Sequence, residues 1–187
     1  KRDQLDIREY GVKKDLVYDE IKRFESAVTN ARQQLRAIRK HIPESTSANI
    51  KDFIDTHLLM LDDIALTEEP IRLIKELACN AEWALKLQRD ALVAVFDEMD
   101  DAYLRTRKDD VDHVVNRIQR VLLNQKLLQH EKPDQGLSGY IVMANDLTPA
   151  DTVLMQHHGI AAFATEFGGP TSHTAILARS LGIPAIV

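Results

Sequence analysis

One long apolar seam constrains this chain more than any other feature. Val17, Ile21, Phe24, Val28, Ala31, Leu35, Ile38 and Ile42 recur at alternating spacings of four and three. That spacing keeps one face of an α-helix apolar for about seven turns, and a lone helix cannot cover such a stripe. The chain is therefore committed to a long helix packed on other helices, as in a bundle or coiled coil. Pro43 ends it.

Helical periodicity continues to about residue 130. Ser45 or Ser47 is placed to cap a second helix through Phe53, Ile54 and Leu58 to Leu61. Thr67 followed by Glu68, Glu69 and Pro70 reads as a helix start. A third pattern covers about 71–99, with a break near Asn80. A fourth covers about 101–129, with Val111, Val114, Ile118 and Val121 on one face. These elements predict four to five antiparallel helices joined by short connections.

The pattern changes at Glu131-Lys132-Pro133-Asp134-Gln135-Gly136. Tyr140–Ala144 and Gly159–Ala164 read as strands. Thr148-Pro149-Ala150-Asp151 carries a cap, an early proline and an acid three residues after the cap, so it opens a helix. Gly168-Gly169-Pro170 makes a turn, a helix follows from Thr171 to about Leu181, and Gly182 and Pro184 stop it. Alternation of strand and helix is α/β grammar. The expected division is residues 1–12 as a remainder, 13–130 helical, 131–138 linker and 139–187 α/β. Lys1 is not an initiator methionine, and the chain ends inside an apolar strand. Both ends therefore read as cut, and the chain is expected to be a fragment.

Composition narrows the function. A net charge of −5 over 187 residues argues against a general nucleic-acid binder. No apolar run approaches the roughly 18 residues that span a bilayer. The single cysteine, Cys79, excludes an internal disulfide framework, fits a reducing cytosol and reads as a buried, inert thiol.

Chemistry concentrates at Gly168-Gly169-Pro170-Thr171-Ser172-His173-Thr174. Two glycines after a strand allow close approach of backbone to a ligand. The first-turn N–H groups of a helix have no intrahelical partners, and with the helix dipole they favour an anion. A histidine there is largely neutral at physiological pH, with one ring nitrogen free to attack. An attacked phosphorus would carry its oxygens toward those N–H groups. From residue types alone, a capped helix followed by a solvated histidine explains the turn slightly better.

The run Gly168–Val187 closely resembles the phosphohistidine signature of the phosphoenolpyruvate-utilising enzymes. Within that group Phe53–Asp63, Asn80–Leu85, Met99–Arg105 and Asn145–Thr152 look like enzyme I of the bacterial phosphotransferase system. The resemblance covers nearly the whole chain. It implies an antiparallel helical bundle inserted into or packed beside a small swivelling β/α phosphohistidine domain, truncated at both ends.

The resemblance also implies the activity. His173 takes a phosphoryl group from phosphoenolpyruvate at Nε2 and passes it to the carrier protein HPr. Thr152 orients its imidazole, and Gly168, Gly169, Thr171, Ser172 and Thr174 surround the phosphate. The implied HPr-docking residues are Phe53, Asp55, His57, Leu59, Met60, Asp62, Asp63, Leu66, Phe96, Leu104 and Arg107. The acids Glu44, Asp52, Asp55, Asp62, Asp63, Glu68 and Glu69, against the one base Lys51, suit a basic partner.

In such enzymes magnesium and phosphoenolpyruvate bind a C-terminal barrel, so neither metal nor autophosphorylation is expected in this fragment. The full-length enzyme is expected to be a cytoplasmic homodimer. Pro170 stands where many enzymes I have arginine. Two other readings are a nitrogen-branch enzyme I paralogue and a catalytically silent helical interaction module. His157-His158 lacks a carboxylate cluster and reads as no metal site. His41, His113 and His130 read as solvated, Trp83 and Tyr103 as packing, and Arg179 as facing away from the phosphate.

Overall fold

A computed structural model describes residues 5, 7–42, 48–100, 102–124, 138–144, 147–166, 168–169 and 172–187. The chain divides into two compact units. One includes Leu5–Gln33 and His57–Glu131, the other Gln34–Thr56 and Lys132–Val187.

The predicted seam forms α1 (Val17–His41). Ile21, Phe24, Val28, Ala31, Leu35, Ile38 and Ile42 are all buried, and only Val17 at its start is partly exposed. The helices α2 (Ala48–Met60), α3 (Ile64–Thr67), α4 (Glu69–Leu77), α5 (Ala81–Asp97) and α6 (Ala102–Asn124) follow. Val111, Val114, Ile118 and Val121 of α6 are buried as the periodicity requires.

Local starts and stops depart from expectation in instructive ways. Thr67 does not cap α4; it closes α3, its hydroxyl donating to the Asp63 carbonyl at 2.8 Å. The cap that sequence reading missed is Asp63, whose carboxylate accepts from the Ala65 N–H at 2.8 Å and starts α3. The break near Asn80 is real. Ala78 turns left-handed (φ 46°) after α4, and Asn80 then stands at the N-cap of α5. The proposed caps Ser45 and Ser47 lie outside the described residues.

A buried polar hub ties this helical unit together. Arg23 of α1 forks onto Glu82 of α5 (2.8 and 2.6 Å) and onto Glu20 one turn away (3.0 and 2.6 Å). Glu20 accepts the Ala81 N–H at 2.7 Å, satisfying an open donor at the start of α5. Asn80 bonds Glu82, the Arg8 carbonyl and the Tyr10 N–H, so the N-terminal segment is held against the same point. From α6, Gln119 donates to the Glu82 carbonyl at 2.8 Å. Cys79 is buried beside Gly11, and burial pushes its thiol pKa up, as expected of an inert thiol.

In the other unit, β1 (Ile141–Ala144), β2 (Ala162–Thr165) and β3 (Ala185–Ile186) form a parallel sheet in the order β1-β2-β3. Ile141 pairs with Ala162 and Phe163 with Ala185. The crossovers carry α7 (Pro149–His157) and α8 (His173–Ser180). Leu147, Phe163, Ala178 and Ile183 form the core between sheet and helices. The predicted start of α7 is a reciprocal cap. Asp151 N–H donates to the Thr148 hydroxyl at 3.2 Å, and Thr148 N–H donates to the Asp151 carboxylate at 3.1 Å. Among the described residues no helix is long and apolar enough to cross a membrane.

The hub makes a stability prediction. Burial raises the Glu82 pKa, but the Arg23 hydrogen bonds outweigh it and hold the carboxyl below its ordinary value of 4.5. A carboxylate depressed on folding stabilises fully above its unfolded pKa, and that contribution is lost as pH falls through the depressed value. Glu82→Ala or Arg23→Ala should each lower unfolding free energy by about 3 kcal/mol near neutrality, because the survivor is left charged and poorly solvated. The double variant Arg23→Met/Glu82→Leu should lose less than the two single losses combined. Urea titrations at neutral and acidic pH measure both effects; purely additive losses without a pH slope would contradict the coupling.

Candidate functional site

The two crossovers bring their helices to the carboxyl ends of β1 and β2, where parallel sheets habitually bind ligands. β2 ends at Thr165, the chain turns at Gly168 and Gly169, and α8 begins. The start of α8 differs from expectation. Ser172, not a residue nearer the prolines, is the N-cap: it is extended, and its hydroxyl accepts from the Ala175 N–H at 3.2 Å. His173 is therefore the first residue of the helix, which begins two residues later than the expected start at Thr171. Its N–H and that of Thr174 belong to the first turn, which has no intrahelical acceptors. The side chain of His173 and the whole of Thr171 lie outside the described residues.

The glycines have separate uses. Gly168 has φ +132°, a region that side-chain-bearing residues rarely occupy. A β-carbon there would stand 3.6 Å from Thr165 Oγ1 and 3.7 Å from Ser172 Oγ, so the two hydroxyls bracket this point of the turn. At Gly169 a β-carbon would meet no described atom within 4 Å. Ser172 N–H closes the turn onto the Gly169 carbonyl at 2.9 Å.

Three threonines complete the arrangement. Thr174 is buried, and its hydroxyl donates to the Leu147 carbonyl, anchoring the start of α8 to the segment after β1. That bond makes Thr174 a structural anchor. Thr152 on α7 is fully buried and donates to the Thr148 carbonyl at 3.2 Å. Its hydrogen being committed there, its oxygen can only accept from a further group. Thr165, which sequence reading passed over, has a buried hydroxyl oxygen with no hydrogen-bond partner among the described residues. A polar residue closing a buried strand just before a glycine turn was the available signal.

The implied docking residues scatter more widely. Leu59 is 72% exposed, Asp62 and Asp63 are exposed, and Met60 is half-buried. Ile64, 67% exposed, joins this apolar and acidic patch although it was not expected there. Asp62 pairs with Arg32 at 2.8 Å, and Asp55 pairs with Arg39 at 2.8 and 3.1 Å. Phe53 and Phe96 are half-buried. Two expectations need correcting. Leu66 (2% exposed) turns into the core from α3, and His57 (3% exposed) faces α6, its Nε2 3.4 Å from Asp110 Oδ1. Neither is available to a partner. Arg107 is bound to Asp110 at 2.9 Å. The Leu104 side chain lies outside the described residues. Burial raises the Asp110 pKa, but its hydrogen bonds from His57 and Arg107 outweigh this and hold it low. His113, expected in solvent, is half-buried with its ring 5.9 Å from that of His57.

Known proteins agree with this architecture. Residues 2–107 match the N-terminal family model of PEP-utilising enzymes, and residues 136–187 match their mobile domain. A phosphoenolpyruvate-protein phosphotransferase of Cupriavidus necator is 39% identical over 98% of this chain and 32% of its own length. One of Listeria monocytogenes is 38% identical over 91% of the chain and 29% of its own length. The chain thus spans about a third of the curated relatives it matches. The solution structure of an Enzyme I protein superposes with TM-score 0.77 at 30% identity, covering 100% of this chain and 74% of that one. The N-terminal domain of a nitrogen Enzyme I superposes at 0.74 with 20% identity over 97% and 71% of the two chains, a likeness of fold. With these two models matched and relatives of more than 30% identity along nearly all of its length, the chain belongs to the family of PEP-utilising enzymes.

Proposed function

We propose that this chain is the phosphocarrier portion of a phosphoenolpyruvate-protein phosphotransferase, with His173 the residue that carries the phosphoryl group. The observation that carries this reading is the position of His173 as the first residue of a helix entered from a parallel strand through Gly168 and Gly169. The first-turn N–H groups at that helix start favour an anion. In chain terms the helical docking part is 13–130 and the phosphohistidine part 139–187.

The chemistry balances as two displacements. A ring nitrogen of His173 attacks the phosphorus of phosphoenolpyruvate; the N–P bond forms, the P–O bond breaks, and the enolate leaves to become pyruvate. The nucleophile of HPr then attacks phosphorus, the N–P bond breaks, and neutral imidazole returns. Alignment and electrostatics dominate such transfers. Thr152 supplies alignment. Its oxygen, obliged to act as acceptor, holds the protonated ring nitrogen and so leaves the other nitrogen, Nε2, as nucleophile. Gly168, Gly169, Thr171 and Ser172 frame the phosphoryl oxygens.

Among the described residues no donor set suited to magnesium is found. The ion requires an octahedron of oxygens, and among the described residues the cluster of candidate ligands is His57, Asp110 and His113, which is nitrogen-rich. No step here is assigned to it; that ion and the phosphoenolpyruvate site belong to the remainder of the longer relatives. The carrier docks at Leu59, Met60, Asp62, Asp63 and Ile64, an apolar centre with acidic edges suited to a basic partner. A cytoplasmic, homodimeric full-length enzyme accompanies this reading. The nitrogen-branch reading has less support, since 30% identity to the Enzyme I structure exceeds 20% to the nitrogen one.

Incubation with labelled phospho-HPr should place acid-labile label on the chain but not on folded His173→Ala. Label retained by that variant would sink the assignment. Thr152→Val should slow transfer about tenfold or more with KM for HPr little changed, whereas Thr152→Ser keeps the acceptor and most of the rate. Equal loss in both would remove Thr152 from the orienting role. Asp62→Lys should slow exchange roughly fivefold at low ionic strength and much less at high salt. Asp63→Asn, which preserves the α3 cap, separates docking from folding. Stopped-flow rates that ignore salt in Asp62→Lys would move the docking surface elsewhere.

A further inference from the structure

Asp110 and His113 stand three residues apart on α6 and therefore on one face, the carboxylate-x-x-His spacing by which bundle helices present metal ligands inward. His57, in the last turn of α2, points at them from the facing side. One donor atom from each of the three lies within 4.8 Å of the others. The imidazole of His57 is 4% exposed and the carboxylate of Asp110 15% exposed. Such a set of two imidazoles and one carboxylate, withdrawn from water, is the donor set of zinc and its neighbours.

Distances make the case sharper. A tetrahedral zinc at about 2.0–2.1 Å from each donor needs donor atoms about 3.3 Å apart. His57 Nε2 and Asp110 Oδ1, at 3.4 Å, already have that separation. The His113 nitrogen has at most about 1.5 Å to move, within reach of side-chain torsions. Asp110 uses its two oxygens differently. Oδ2 accepts from Arg107 at 2.9 Å, and this fixes the carboxylate plane so that Oδ1 faces the imidazoles. The guanidinium weakens attraction for a dication but orients the ligand, as outer groups do at metal sites.

We propose that His57, Asp110 and His113 form a site for one zinc ion in the helical unit. Three protein ligands leave a fourth position for water. The site lies outside the phosphotransfer turn, and its test does not depend on that reading. A metal held only by the folded state raises stability by mass action, so its loading is visible as a thermal shift.

The test uses the full 187-residue chain, stripped with chelator and titrated with zinc alone. Saturation at one ion per chain, a raised Tm, and a cobalt-substituted form with the intense visible bands of four-coordination are expected. His113→Gln, at the less buried position, should weaken zinc at least tenfold, and His57→Gln likewise wherever circular dichroism confirms folding. Exposed His158→Gln serves as control and should change nothing. Failure of the wild type to bind saturably overturns the site. So does unchanged affinity in His113→Gln, or an equal loss in His158→Gln.

Discussion

Arg23 is held from two sides by carboxylates it cannot do without. Glu20 approaches from its own helix and Glu82 from the start of α5, and each carboxylate also serves backbone or amide groups of a neighbouring segment. The arrangement converts separate amphipathic helices into a unit of defined register. Apolar stripes on α1, α5 and α6 would accept several sliding arrangements of similar burial. The guanidinium fork accepts one, since moving any helix by a turn strands a charge. The N-terminal segment shares this dependence through Asn80, which bonds both Arg8 and Tyr10.

In the α/β unit the same principle works on a smaller scale, with hydroxyls in place of charges. Thr148 caps α7, Ser172 caps α8, and Thr174 ties the start of α8 to Leu147. Each bond consumes a donor that would otherwise float near the turn. Among the described residues, the groups left open here include the first N–H groups of α8, the acceptor side of Thr152 and the hydroxyl of Thr165. A helix start stripped of alternative partners is preorganised for an anion, because nothing must be rearranged when charge arrives.

Most of the architecture could be read in advance, for reasons of period. A seventeen-to-forty-two stripe with alternating steps has one solution, and seven of its eight residues are buried, six of them in α1. The reciprocal cap at Thr148 and Asp151 and the break at Asn80 were equally legible, since each depends on neighbours within four residues, and the strands showed in their apolar runs. The errors fall where the deciding partner is distant or where two caps compete. Thr67 lost to Asp63 because the short α3 ends at Thr67, leaving its hydroxyl bonded backward to Asp63. His57 was expected at the docking surface and His113 in solvent; only the approach of His57 to Asp110 and His113 in the folded chain withdraws them from it.

The sequence by itself determined the long helix, the change from helical to α/β grammar and the glycine-rich turn with its histidine. All three are local, set by residue spacing and backbone freedom. Tertiary structure alone decided that Thr152 is buried, that Thr174 is tied to Leu147, and that Leu66 belongs to the core while Ile64 is exposed. It also decided that a carboxylate and two imidazoles from α2 and α6 share one point in space. These depend on which faces meet when helices and strands pack, and a one-dimensional pattern does not contain that information.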